Sequence, residues 1–384
     1  MPWLETDVIK QRNRFVLDFE LGLFSMSELC ERYGISRPTG YELWARYQAQ
    51  GLQGLADRAR GPKSCPHKTA WEVEQALVSL RHRYPKWGPV TLLQRLKKLQ
   101  PGLALPAPST AGDILKRNGL IAPRKRRARH RHPGRPYLEM RAPNDVWTAD
   151  FKGEFLTRDH RYCYPLTIAD GCSRYLLACR GQRSTAYLGA RENFRAAFRE
   201  YGMPLQILTD NGGPFASCAL GGLSRLSAWW IKLGIHPVRI EPGCPQQNGR
   251  HERMHRTLKA EATRPPAANL AAQQRRLERF RRCYNEERPH RALAGEVPAA
   301  LYHPSARTYP EREPAFTYPG HFKILKVCGN ACLRWRNRFI FVSRVLVGEP
   351  LGLEPVDDGI WSVHFGPLLL ARFDERRGFL CDAV

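Results

Sequence analysis

Three acidic residues stand in settings that suit phosphodiester chemistry: Asp150 in WTADFKGEF, Asp210 in ILTDNGGPF and Glu252 in PGCPQQNGRHERMHRTLK. Carboxylates from distant segments can hold hard divalent cations through oxygen while leaving coordination sites for water. Two such cations can serve the attacking and leaving oxygens of one phosphodiester. The three acids are therefore read as catalytic residues and as metal ligands for two Mg²⁺ (or Mn²⁺) ions. A lone Asp where a strand runs into a loop is more often a turn or capping residue; the combination of three argues against that here. Asp170, Glu154, Glu241 and Glu261 are the competing acids, but Glu252 alone lies in the last motif.

The flanking residues say which elements must carry these acids. Val146, Trp147 and Thr148 favour a strand leading into Asp150. Tyr162 to Ile168 and Tyr175 to Ala178 add two more, giving three antiparallel strands. Leu205, Ile207 and Leu208 form a strand that stops at Thr209-Asp210, before the turn-forming Asn211, Gly212, Gly213 and Pro214. From Asn248 to about Thr263, Met254, Leu258 and Ala262 recur at helical spacing, which puts Glu252 on a different helical face. A further helix is expected over 269–285 from Leu270, Leu277, Phe280 and Tyr284. After Pro314 the runs 322–327, 339–347, 361–365 and 368–373 favour strands, read as a small β-barrel.

The segments DFKG, PLTIADGCSRY, TDNGGPF, PQQNGRHERMHRTLK and YNEERPHRAL follow one another over roughly residues 144–300. In that order they resemble the integrase-core transposases of bacterial insertion sequences, relatives of retroviral integrases. The resemblance implies an α/β RNase H-like catalytic core, a mixed sheet flanked by helices, with Asp150, Asp210 and Glu252 as its D, D and E. It also implies metal-dependent cleavage at element ends, strand transfer of the freed 3′-OH into target DNA, and a homo-oligomer on paired ends. The last two acids are 42 positions apart. That implies a short insertion relative to retroviral enzymes, which the loop around Ala219 to Ser227 would absorb.

One local pattern points elsewhere. His251-Glu252-Arg253-Met254-His255 satisfies H-E-x-x-H, two histidines one helical turn apart that bind zinc beside a basic Glu. Arg250, Arg253, Arg256 and Lys259 flank it with positive charge that opposes a bound cation but suits a DNA backbone. These four are read as DNA-binding. A zinc metallopeptidase and a non-catalytic, transposase-derived DNA-binding protein are the alternatives.

Composition favours a polyanionic partner: 61 Lys+Arg against 36 Asp+Glu leave a formal net charge of +25. The chain divides into a helix-turn-helix domain (1–62), a second helical domain (63–122), a basic linker (123–140), the core (141–305) and the β-domain (315–384). In the first, Ser27 is expected to cap a helix to Tyr33, and Ser36 to cap a recognition helix running to about Gln50. Ser36, Arg37, Pro38 and Tyr41 at its start are positioned for double-stranded DNA. The linker's Arg124, Lys125, Arg126, Arg127 and Arg129 suit a DNA-tracking arm, a nuclear-localisation signal being the competing reading. The 11 scattered cysteines, the start MPWLETDVIKQR and the lack of a long apolar run fit a reduced bacterial cytoplasm, with nucleoid association and no membrane. No P-loop is present, which argues against an ATP-driven transposition regulator.

Overall fold

A short polar residue followed three positions later by Glu is the signature that starts the second helix of this chain. In the computed structural model, which describes residues 7–57, 68–121, 138–217 and 219–382, contacts divide the chain into Met1–Lys68 and Thr69–Val384. The first unit holds α1 (Val8–Glu20), α2 (Met26–Arg32) and α3 (Arg37–Gln50). Ser25, not Ser27, caps α2. Glu28 sits at the third helical position and accepts from the Ser25 amide at 2.8 Å, closing a capping box. Ser27 has Cys30 three residues on and cannot make that exchange. Ser36 caps α3 as expected, and its hydroxyl is shared with Thr39. Arg37, Pro38 and Tyr41 are exposed beside it.

Phe15, Val16, Leu29, Leu43 and Leu55 form the core of this unit. Gly40 lets α3 approach α2: a Cβ there would lie 2.6 Å from Cys30 Sγ and 2.9 Å from Met26 Sδ. Gly40→Ala is therefore expected to destabilise the unit by about 1–3 kcal/mol through overpacking, against a gain of about 1 kcal/mol in helix propensity. Amide exchange in α3 of the full chain checks it, and unchanged protection would show that the two helices can part without cost.

The second unit begins with α4 (Trp71–Arg83), α5 (Pro89–Leu99) and α6 (Pro108–Arg117) around Leu77, Trp87, Leu92, Ala111 and Leu115. The last of these helices opens on Pro108, which occupies the first helical turn, where its missing N–H costs nothing. These helices pack directly on the core. Arg288 lies over the Trp87 ring at 5.5 Å and pairs with Glu261 at 2.7 Å.

The core comprises β1 (Val146–Phe151), β2 (Phe155–Leu156), β3 (Tyr162–Asp170), β4 (Leu176–Gln182), α7 (Tyr187–Tyr201), β5 (Gln206–Thr209), α8 (Arg225–Lys232), β6 (His236–Arg239), α9 (Gly249–Leu258), α10 (Leu270–Arg282) and the short α11 (Pro298–Leu301). Its strands run β4-β3-β1-β5-β6, with β2 extending the pairing at the start of β3. β3 is antiparallel to both β1 and β4, whereas β1, β5 and β6 are parallel. This is the RNase H-like mixed sheet that the motifs implied.

Strand alternation sorts the side chains. Trp147, Ala149, Leu166 and Ile168 pack with Phe194, Phe198 and Trp230 of α7 and α8. The opposite face, with Ala169, Leu176 and Cys179, packs against Met254, Leu258, Leu277 and Phe280 of α9 and α10. The loop expected to absorb the insertion is partly helical: Ser224 and Ser227 exchange capping hydrogen bonds at the start of α8.

Beyond the core lie β7 (Lys323–Lys326), β8 (Cys332–Trp335), β9 (Arg338–Phe341), β10 (Pro350–Asp357), β11 (Ile360–Phe365), β12 (Leu368–Asp374) and β13 (Phe379–Asp382). The domain read as a small β-barrel is built of a five-stranded antiparallel sheet, β13-β12-β11-β10-β7, and a β8-β9 hairpin. Its core includes Leu333, Trp335, Leu351, Val363 and Phe373, together with Ala228 and Ile231 of α8. Packing of these residues holds the hairpin to the sheet. The linker residues Arg124, Lys125, Arg126, Arg127 and Arg129 lie outside the described residues.

Candidate active site

Asp150 is carried near the end of β1, opposite Thr167 of β3. Asp210 directly follows β5, and Glu252 sits in the first turn of α9. All three line one cavity of about 320 Å³, with Asn211, Gly212, Glu241 and Asn248 among its other walls. The Gly212 amide donates to Asp210 Oδ1 at 3.1 Å, and a Cβ on Gly212 would stand 3.1 Å from Oδ2. The glycine thus lets the backbone turn tightly under the carboxylate. Asn211 Nδ2 donates to the Ile240 carbonyl at 2.8 Å, tying this turn to the end of β6.

Burial, and then the charge of Asp210, pushes the Asp150 carboxyl up to about 7, with Lys152 opposing and Glu252 adding to the rise. Carboxylates crowded until one of them resists ionisation are an oxygen donor set suited to hard cations. Among the described residues, the side chains whose ligand atoms lie within 4.8 Å of one another are, however, Asp150, His251 and His255.

That histidine pair is part of a closed hydrogen-bond network. Thr167 Oγ1 donates to the Asp150 carbonyl at 3.0 Å. It also meets His251 Nε2 at 2.7 Å and His255 Nε2 at 2.6 Å. A hydroxyl has one proton and two lone pairs, so both Nε2 atoms must carry hydrogen and donate. His251 Nδ1 is then the acceptor facing Thr148 Oγ1 at 2.8 Å. Both rings are buried, His251 at 2% exposure. Burial pushes His251 down to about 3 and His255 lower still, so both are neutral. The contact of His255 Nδ1 with Asp150 Oδ2 at 3.5 Å is therefore not an ion pair. Zinc bound through the Nε2 atoms would have to displace these short bonds. Glu252 is exposed, on the face of α9 turned to the acidic cavity, which disfavours the metallopeptidase arrangement.

The competing acids are placed otherwise. Asp170 is buried and accepts from the amides of Asn144 and Ser173 and from the Ser173 hydroxyl, which makes it a turn acceptor. Glu261 is paired with Arg288, Glu154 is exposed on a loop, and Glu241 does reach the acidic cavity. Of the basic residues named from sequence, Arg250, Arg253 and Arg256 line a neighbouring cavity. Lys259 instead lies near Lys152, whose pKa is lowered by burial and then by the charge of Lys259. Thr148, Lys152, Thr167, Asn248 and Arg174 were not singled out from the sequence. Arg174 was in view only as a letter of GCSRY, and the two threonines carry no local signal of their partners.

Comparison with known proteins agrees with this architecture. Family models described as "Integrase core domain" match residues 140–245 and 233–298. A "Helix-turn-helix domain" matches 14–63 and a "Homeodomain-like domain" 39–115. The insertion element IS476 uncharacterized 39.2 kDa protein of Xanthomonas euvesicatoria is 34% identical over 191 residues, 48% of this chain and 52% of its own length. The insertion element IS407 uncharacterized 31.7 kDa protein of Burkholderia multivorans is 29% identical over 154 residues, 40% of this chain and 53% of its own. The chain thus spans about half the length of these relatives. Among solved structures, the HTLV-2 integrase catalytic core domain in complex with magnesium is 16% identical, with a TM-score of 0.35, covering 43% of this chain and 100% of that one. A simian T-cell lymphotropic virus intasome chain gives 18% and 0.38, covering 80% and 99%. At those scores the superpositions add nothing to the strand order already described. Residues 140–298 are thus matched by integrase-core models and residues 14–115 by helix-turn-helix and homeodomain-like models, and the chain is similar to proteins of bacterial insertion elements.

Proposed function

We propose that this protein cleaves DNA at the ends of a mobile element and joins the freed 3′-OH to target DNA, with Asp150, Asp210 and Glu252 as the catalytic acids. The observation that carries the reading is the meeting of three acids from β1, the turn after β5 and α9 in one cavity, with Asp150 held back from ionisation by burial and then by the charge of Asp210. Asp150 and Asp210 would hold two Mg²⁺ or Mn²⁺ ions, and Glu252 would complete the shell of the second. When bound, such ions lower the pKa of an attacking water and stabilise the leaving 3′-oxygen.

The chain's own residues do the positioning. Thr167 fixes the Asp150 backbone and both histidines, while Asn211 and Gly212 hold the Asp210 turn. The exposed Arg37, Pro38 and Tyr41, with the Ser36 cap, would meet element DNA through α3. Arg124, Lys125, Arg126, Arg127 and Arg129 would track its backbone between modules. Two ends cut together call for a homo-oligomer. No helix among the described residues is long and apolar enough to cross a membrane, and we place the protein with the nucleoid.

The test is nicking and joining of duplexes carrying the DNA that flanks this gene. Both reactions are expected with Mg²⁺ or Mn²⁺ and none with a chelator. Binding of those duplexes without any cleavage would leave a non-catalytic DNA-binding protein instead.

A further inference from the structure

A second cavity, of about 660 Å³, lies on the other flank of α9 and shares Glu241, Cys244 and Asn248 with the acidic one. Six arginines line it: Arg174, Arg250, Arg253, Arg256, Arg288 and Arg291. They come from the β3–β4 turn, from α9 and from the segment after α10, so no single stretch of sequence displays them together. Glu241 is the only acidic side chain among the described residues of its lining. Arg288 alone of the six has an ion-pair partner among the described residues, Glu261.

Arg174 is the most constrained. It takes a left-handed backbone conformation, φ 66°, and its Nε atom is buried without a hydrogen-bond partner. Burial, and then the charges of Arg250 and Arg253, pushes its pKa down to about 10. Two further buried atoms without partners, Asn248 Oδ1 and His290 Nε2, line the same cavity. A guanidinium taken from water and set beside others of like charge costs free energy that a counter-anion returns. The planar fork of arginine fits phosphate oxygens in particular.

We infer that this cavity grips backbone phosphates of the DNA strand that passes through the acidic cavity, Asn248 standing on the wall between the two. The shared wall favours a continuous strand over a free anion, as does a volume well beyond one phosphate. The inference rests on the function proposed above. It adds Arg174, Arg288 and Arg291 to α9 as a built phosphate site, separate from the carboxylates.

The experiment uses the full chain and short duplexes of the gene-flanking DNA in which single phosphates are replaced by neutral methylphosphonates. In the parent, neutralisation at one or two positions near the cleavage point is expected to weaken binding about tenfold. In Arg174→Met the same replacements should cost less than about twofold, and the slope of log affinity against log salt should fall by about one. Arg291→Met, at an exposed position, gives the same comparison where the fold is not at risk. Equal losses in parent and both variants overturn the inference. So does inorganic phosphate raising the melting temperature of the parent, but not of Arg174→Met, with no coupling to the DNA replacements; the cavity would then be a small-anion site. Cleavage by the parent is scored on the same duplexes. Coupling without cleavage sinks the catalytic reading and keeps the pocket, whereas cleavage without coupling does the reverse.

Discussion

Asp210→Asn and Glu252→Gln are each expected to lower the rate of DNA cleavage about a thousandfold or more, about 4 kcal/mol of barrier, while leaving binding at moderate salt intact. Each replaces a carboxylate oxygen lining the shared cavity without disturbing a core contact, since Glu252 is exposed and Asp210 follows the end of β5. Asp150→Asn should be as inactive, with a second signature. The Asp150 carboxyl sits near 7 in the fold, above the ordinary value of about 3.9 for a free Asp. Stability contributed by its protonated form is complete below about pH 4 and is lost as the pH rises through about 7. The neutral Asn keeps that contribution. Without metal, Asp150→Asn should therefore melt higher than the parent at pH 8 and alike at pH 4, and Mg²⁺ should raise the melting temperature of the parent alone. An Asp150→Asn protein that cuts DNA, or that melts below the parent at pH 8 without metal, would remove Asp150 from the catalytic set.

Thr167→Val should carry the second large effect, on stability. One hydroxyl serves the Asp150 carbonyl and the Nε2 atoms of both buried histidines. An isosteric valine leaves three buried polar groups short of a partner, each worth about 1–3 kcal/mol. The expected loss is about 3–6 kcal/mol, with Thr167→Ser retaining most of the stability. Cleavage by Thr167→Val, measured well below its melting point, should also fall, because the β1 backbone that carries Asp150 is no longer tied to β3 through that hydroxyl. Denaturant unfolding checks the first expectation. A valine variant as stable as the parent would mean that the histidines are held from elsewhere, and would reopen zinc as their partner.

How much of this was legible beforehand depended on the range of the interaction. The helix carrying Glu252 was readable because Met254, Leu258 and Ala262 repeat at helical spacing, and all three are buried. The strand before Asp210 was readable from its apolar run and the turn residues that stop it. Caps were less secure: Ser25 and Ser27 look alike until Glu28 is counted as the third helical residue of one of them. In the β-domain, β8 and β10 were passed over, since Arg334 interrupts one and Pro350, Gly352 and Pro355 the other. Pairing with neighbouring strands overrides those weak propensities.

The acidic residues, the order of the elements and the basic character of the chain were determined by the sequence itself, because each rests on residue type or on a period of two to four positions. The tertiary structure decided which face of α9 does what. It buries His251 and His255 against Thr167, turns Glu252 to the carboxylates of two distant segments, and brings Arg174 and Arg288 beside Arg250 and Arg253. Those partners lie up to about a hundred residues away, and only the packing of α9 across the sheet makes them neighbours. Charge and hydrogen-bond complementarity at that distance leave no periodic trace in the chain.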